Sequence, residues 1–260
     1  MALLSVENLT KSFGGLTAVS NANITIDEGE LIGLIGPNGA GKTTLFNLIT
    51  GVYVPTSGKI LVTHNGETKD ISGMKPYNIT KMGFARTFQN IRLFNDLTVL
   101  DNVRIAMHQN VDYSMASSLF RLPPFIKGEK KQEDEALELL EIFKLADKKD
   151  EFAKNLPYGE QRHLEIIRAL ATKPFLLLLD EPAAGMNPAE TAELTKSIQW
   201  IRNHFKITVL LIEHDMSLVM NLCERIYVLD YGTMIANGTP DEIQGNSRVI
   251  EAYLGGDIDA

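Results

Sequence analysis

Three groups of residues have the types and spacing that chemistry needs. The first is Gly36, Pro37, Asn38, Gly39, Ala40, Gly41, Lys42, Thr43 and Thr44, which follow the short apolar run 31–35 and fit G-x-x-x-x-G-K-[ST], a phosphate-binding loop. Its glycines let successive N–H groups turn inward toward a polyphosphate. Lys42 supplies a point charge for the β- and γ-phosphates, and the Thr43 hydroxyl is a hard ligand for Mg²⁺. The second is the pair Asp180 and Glu181 at the end of the apolar run 175–179. Neighbouring side chains at a strand end point apart, so Asp180 can serve the metal while Glu181 orients and deprotonates an attacking water. The third is His214, just beyond the apolar run 207–212. A histidine there has structural uses as well as chemical ones. The three together describe a phosphate-loop nucleotide hydrolase.

These groups need a sheet whose strand ends face one edge. Residues 175–179 are apolar throughout, as in a parallel strand buried on both faces, and carboxylates at its end can reach a ligand outside the sheet. Residues 42–50 read as a helix with its N-terminus toward the anion, Leu45, Leu48 and Ile49 inward and Gly51 as its stop. Strands at 3–8 and 22–26, joined through Gly14-Gly15, and a hairpin over 59–63 and 67–71 predict a small antiparallel sheet. Phe13 precedes the Gly14-Gly15 turn; position alone leaves it as rim packing or as a stacking platform.

Further on, a short helix at 76–82 precedes an extended stretch at 84–88, and Thr98 caps a helix through 107. A helix over 131–145 is expected after an irregular insertion at 109–130, where Pro123-Pro124 and Gly128 allow one short helix at most. Another helix opens at 155–162 and stops at Pro174. Asn187, Pro188 and Glu190 form a capping box for the next. A hairpin at 225–229 and 234–236 and two short helices close the chain.

The 260 residues suffice for one large α/β domain or a core with a smaller lobe. A net charge of −8 argues against a nucleic-acid partner held mainly through phosphates. The single Cys223 excludes an intramolecular disulfide and fits a small buried residue in a reducing compartment. No signal peptide is visible, and no apolar run approaches the roughly 18 residues that cross a bilayer.

With these motifs in place the chain resembles the ATP-binding subunit of an ABC transporter over nearly its whole length. The resemblance implies a P-loop α/β core with a mainly parallel sheet and flanking antiparallel sheet over 1–83 and 175–260, and a helical lobe over 84–174 that receives membrane subunits. It implies ATP and Mg²⁺ as ligands, with Phe13 stacking on adenine, Gln89 sensing metal and water, and His214 sensing the γ-phosphate. Lys42, Gln89, Glu181 and His214 would carry catalysis; Thr43, Gln89 and Asp180 would serve the metal. Leu156, Pro157, Tyr158, Gly159 and Glu160 would be the signature loop that completes a partner's ATP site. Within the family, the phrases at 156–165, 180–188 and 211–216, with the insertion after Gln109 and the ending Ala252-Tyr253-Leu254-Gly255, are most similar to the longer ATPase of the branched-chain amino acid importer. Implied partners are a second, different ATPase chain facing this one head to tail, transmembrane permeases and, indirectly, a substrate-binding protein, at the cytoplasmic face of the membrane. Two positions depart from the pattern. The usual L-S-G-G-Q has Pro157 for its serine and Tyr158 for its first glycine, and Asn187 replaces an aspartate in the loop after Glu181.

Overall fold

The computed structural model describes residues 2–108 and 115–254. Its strands, in chain order, are β1 (Ala2–Phe13), β2 (Leu16–Asp27), β3 (Leu31–Ile35), β4 (Ser57–His64), β5 (Glu67–Asp70), β6 (Phe84–Arg86), β7 (Leu176–Asp180), β8 (Thr208–Ile212), β9 (Arg225–Asp230) and β10 (Thr233–Gly238). All belong to one of two compact units, which comprises Met1–Arg86 and Phe175–Ala260. One sheet has the order β2-β1-β4-β5 and is antiparallel throughout; the other runs β10-β9-β3-β8-β7-β6, parallel except for β10 at its edge.

β1 and β2 are longer than their apolar alternation suggests. Asn8 and Asn21 take left-handed backbone angles (φ 47° and 52°), and pairing shifts register between Val6 and Leu9. Asparagine tolerates that conformation, so the pattern is interrupted while the strand continues as a bulge. Phe84–Arg86, expected in the helical lobe, instead pairs with β7. Leu4, Val6, Ile24 and Ile26 of the antiparallel sheet and Ile32, Leu34, Leu210 and Ile212 of the parallel sheet share one core with Leu45, Phe46, Leu48 and Ile49 of helix α1 (Lys42–Ile49). Each such side chain contributes roughly 2 kcal/mol of burial, which holds the strand ends that carry the chemistry.

The second unit is Thr87–Pro174. After the short α2 (Pro76–Lys81) of the first unit, it contains α3 (Val99–Met107), α4 (Met115–Leu119), α5 (Pro123–Ile142) and α6 (Tyr158–Ala171). Thr98 caps α3 by accepting from the Asp101 N–H. The irregular insertion expected up to residue 130 is overturned on its C-terminal side: α5 begins at Pro123, not 131. Two prolines in the first turn cost a helix nothing, because those N–H groups have no intrahelical partner, and Gly128 is one tolerated interior glycine. Residues 109–114 of that insertion, and Gly255 of the closing phrase, lie outside the described residues. Back in the first unit, α7 (Pro188–Phe205), α8 (Met216–Leu222), α9 (Pro240–Gln244) and α10 (Ser247–Leu254) complete the chain, α7 with the Asn187–Glu190 capping box.

Candidate functional site

β3 is buried along its whole length and delivers Gly36 to the sheet edge. A Cβ on Gly36 (φ 151°) would stand 1.9 Å from the Leu229 carbonyl oxygen, and one on Gly41 (φ 103°) 2.4 Å from that of Ala18. Only glycine fits either place. The loop is tied down by backbone: the Gly232 N–H donates to the Ala40 carbonyl (2.8 Å) and the Ser20 N–H to that of Gly232 (2.7 Å). Gly41 is the N-cap of α1 and makes no side-chain cap bond, and the first turn holds no acidic residue, so the helix N–H groups and the positive end of its dipole serve the loop. Asn38, Gly39 and Thr43 are exposed, whereas Lys42 is buried and its Nζ donates to the carbonyls of Gly36 (2.7 Å) and Pro37 (2.9 Å). Burial lowers the Lys42 pKa, and the carboxylates of Glu181 and Asp180 oppose that shift.

Asp180, the last residue of β7, is buried and its Oδ2 accepts from Arg86 at 2.7 Å. Arg86 also donates to Asn47 Oδ1 (2.6 Å) and Thr50 Oγ1 (3.1 Å), which joins β6, α1 and β7 around one guanidinium. Glu181 leaves the strand with φ 48°. A non-glycine residue in that region costs on the order of 1–3 kcal/mol and persists only where neighbours hold it. Here its N–H donates to the Ile212 carbonyl (2.9 Å), and its Oε1 lies 2.8 Å from His214 Nε2. The structure therefore brings together Lys42, Asp180, Glu181 and His214. No group of three or more His, Cys, Asp or Glu among the described residues could hold a metal alone. The buried Asp180 carboxylate and the exposed Thr43 hydroxyl are hard oxygen donors of the kind Mg²⁺ takes beside phosphate oxygens, so their chemistry fits that ion.

Phe13 ends β1 with its ring partly exposed, edge-on to Tyr53 at 5.2 Å and with Lys11 Nζ 4.9 Å from its centroid. Gln89 and 156–160 belong to the second unit. There Pro157 is the N-cap of α6 without a side-chain cap bond, Leu156 is buried and Tyr158 half exposed. Glu160 accepts from Lys148 at 2.6 Å, and Gln161 Nε2 donates to the Leu156 carbonyl at 2.9 Å.

Sequence reasoning missed four residues. Arg86 is one. Arg162 and Glu165 of α6 form a buried pair (2.8 Å); Arg162 donates to the carbonyls of Phe88 (2.6 Å) and Gln89 (2.7 Å), while Glu165 accepts from the N–H groups of Phe88 (3.3 Å) and Arg92 (3.2 Å). The Glu165 pKa is raised, since burial outweighs Arg162 and those two N–H groups. The available signal was two charges three residues apart beside Leu164, Ile166 and Ile167, on an otherwise apolar helix face. The fourth, Glu213, is buried beside His214.

The ABC transporter family model matches residues 19–184, and a model described as branched-chain amino acid ATP-binding cassette transporter matches residues 233–259. The chain is 48% identical over 253 residues to the high-affinity branched-chain amino acid transport ATP-binding protein LivG of Escherichia coli K12, which covers 97% of this chain and 98% of that one. It is 44% identical to the corresponding protein BraF of Pseudomonas aeruginosa, with the same coverage. Among solved structures it is similar to the ADP conformation of MJ1267, an ATP-binding cassette of an ABC transporter (TM-score 0.83, 32% identity, 98% of this chain and 99% of that one). The α/β architecture expected from the sequence is that of these cassettes. By its phosphate-loop core and by these matches, the chain belongs to the ABC transporter family as one of its ATP-binding ATPases.

Proposed function

We propose that this chain is the ATP-hydrolysing subunit that energises an importer of branched-chain amino acids. The substrate class rests on the names of the LivG and BraF relatives and on the second family match at residues 233–259. The hydrolytic role of the site rests on one observation, the 2.8 Å contact between Glu181 and His214 beside the phosphate loop.

In this reading the loop N–H groups and Lys42 hold the β- and γ-phosphates of ATP, and Phe13 stacks on the adenine. Water loses its proton to Glu181 as its oxygen bonds the γ-phosphorus and the bond to ADP breaks. His214 keeps the Glu181 carboxylate aimed at that water. Mg²⁺, which Thr43, Asp180 and Gln89 would serve, supplies neutralisation of the phosphate charge when bound. Leu156 to Glu160 complete the ATP site of a second ATPase chain, which faces this one head to tail. Closure of the pair on ATP and its reopening after hydrolysis are passed to the permease subunits through the helices of 87–174. In this reading the chain acts at the cytoplasmic face of the membrane through those subunits; no helix among the described residues is long and apolar enough to cross a membrane.

The test is Glu181→Gln. Steady-state phosphate release should fall by roughly a hundredfold or more, while ATP still binds and holds a nucleotide-dependent dimer in sedimentation. Near-normal turnover removes Glu181 from the base role.

A further inference from the structure

Glu213 has no place in the mechanism above, yet it is only 3% exposed and sits between the two loops that carry Glu181 and His214. β7 and β8 are adjacent parallel strands, with Asp180 paired to Ile212, so the turn after Glu181 and the turn at 213–215 leave the sheet side by side. The Glu213 carboxylate spans them. Its Oε1 accepts from the Ala183 N–H at 2.7 Å, two residues beyond Glu181. Its Oε2 accepts from the His214 N–H at 3.0 Å and, more weakly, from the Asp215 N–H at 3.5 Å. Asp215 in turn caps α8 through the Leu218 N–H (3.1 Å).

A carboxylate is an unusual choice for a structural staple there. Burial raises its pKa despite the three N–H groups, and the nearby Glu181 charge raises it further. A neutral side chain would avoid both costs but could not accept on both oxygens; only a carboxylate is acceptor at each end. Glu181 also needs holding, because its left-handed backbone (φ 48°) is strained. The Ala183 bond fixes the turn that imposes that conformation, and the His214 bond fixes the backbone from which the imidazole reaches back to Glu181.

We propose that Glu213 is a positioning residue for hydrolysis: it locks the turn after Glu181 to the backbone of His214 and thereby sets the Glu181–His214 contact. The proposal rests on the reading of Glu181 and His214 as the hydrolytic pair.

The test uses the full chain in the assembled transporter with Glu213→Gln, which keeps an acceptor toward Ala183 but turns an NH₂ toward the His214 N–H, and Glu213→Asp, which keeps the charge but is one methylene short. The expected result for Glu213→Gln is a kcat for ATP hydrolysis lower by roughly ten- to a hundredfold, with the affinity for ATP, read by a fluorescent analogue, changed less than about twofold because the phosphate loop is untouched. Glu213→Asp should fall between it and the parent chain. A spectroscopic readout is independent of turnover. In the ¹⁵N-labelled chain, the His214 imidazole, assigned with His214→Ala among five histidines, should lose its hydrogen-bonded Nε2 signature in Glu213→Gln while the melting temperature stays within a few degrees. An unchanged His214 signal, or a normal kcat beside an inactive Glu181→Gln, overturns the proposal. A lower kcat that merely tracks lost ATP affinity and a collapsed melting temperature overturns it too. If Glu181→Gln itself retains turnover, the base assignment fails instead, and the imidazole signal still decides whether Glu213 sets the contact.

Discussion

The loops before α1 and α6 both end at a helix N-terminus, yet they are held by different physics. Around Lys42 the restraint is mainly backbone: glycines at two positions that tolerate no Cβ, main-chain bonds to Gly232, and a fully buried strand behind, with the Lys42 ammonium on the Gly36 and Pro37 carbonyls as the side-chain tie described above. Around Gly159 it is side chains. Lys148 holds Glu160, Gln161 holds the Leu156 carbonyl, and Arg162 with Glu165 holds the backbone of Phe88, Gln89 and Arg92. The difference teaches where a motif can change. A loop built on backbone sterics keeps its glycines, whereas one held by side chains can take Pro157 and Tyr158 in place of serine and glycine if the helix behind it stays anchored.

The largest effect should come from that anchor. Arg162 is fully buried, so Arg162→Met leaves the buried Glu165 carboxylate without its ion-pair partner and two carbonyls without their guanidinium, at a cost of about 3–5 kcal/mol. Urea denaturation of the full chain should show it, and Arg162→Met with Glu165→Leu should recover much of the loss. A single-variant loss below about 1 kcal/mol would mean that the second loop is held some other way.

The same contrast explains what the sequence made legible. The phosphate loop, the apolar strands ending at Asp180 and Ile212, and the Asn187 capping box are local patterns, so they were readable residue by residue. Arg86, Arg162, Glu165 and Glu213 were not. Each also bonds atoms brought near by the sheet or by helix packing, and the flanking residues, which at most show that the α6 charges are buried, do not say what those charges will meet. The helix at 123–130 is hidden for a different reason: Pro123 and Pro124 look like breakers but occupy its N-terminal positions, and the cost of Gly128 is outweighed by the packing of Ala136, Leu139 and Leu140.

Next in size is the surface that α6 would present to a partner's ATP. Gly159 lies in its first turn, and Gly159→Asp adds bulk and negative charge where backbone N–H groups would meet the γ-phosphate. Phosphate release by the assembled transporter should drop by roughly a hundredfold, while ATP binding to this chain's own phosphate loop stays at the parent value. Loss of that binding would show instead that the substitution has spread beyond the second unit.

Phe13 should give a smaller change, since a stacking contact contributes about 1 kcal/mol. Phe13→Ala is expected to weaken ATP and GTP binding alike by roughly fivefold, measured by calorimetry on the isolated chain. Unchanged affinities would leave the ring as a packing partner of Tyr53 and Lys11.

Pro157→Ala should do least, and it probes the comparison most directly. Serine at this place would offer a hydroxyl to phosphate; proline offers no donor, and here it makes no side-chain cap bond to α6 either. Its removal therefore deletes no hydrogen bond. Alanine brings back one N–H at an exposed position, where water can satisfy it, and loosens a φ that proline had preset near its observed −53°. Those changes amount to about 0.5 kcal/mol, and the anchor through Arg162 and Glu165 lies roughly one to two turns further along α6, beyond their reach. Turnover of the assembled transporter should stay within about twofold of the parent. An inactive Pro157→Ala beside an active Gly159→Asp would reverse the account: the contact would depend on the rigid backbone at 157, and the side-chain anchor behind it would be insufficient to hold the loop.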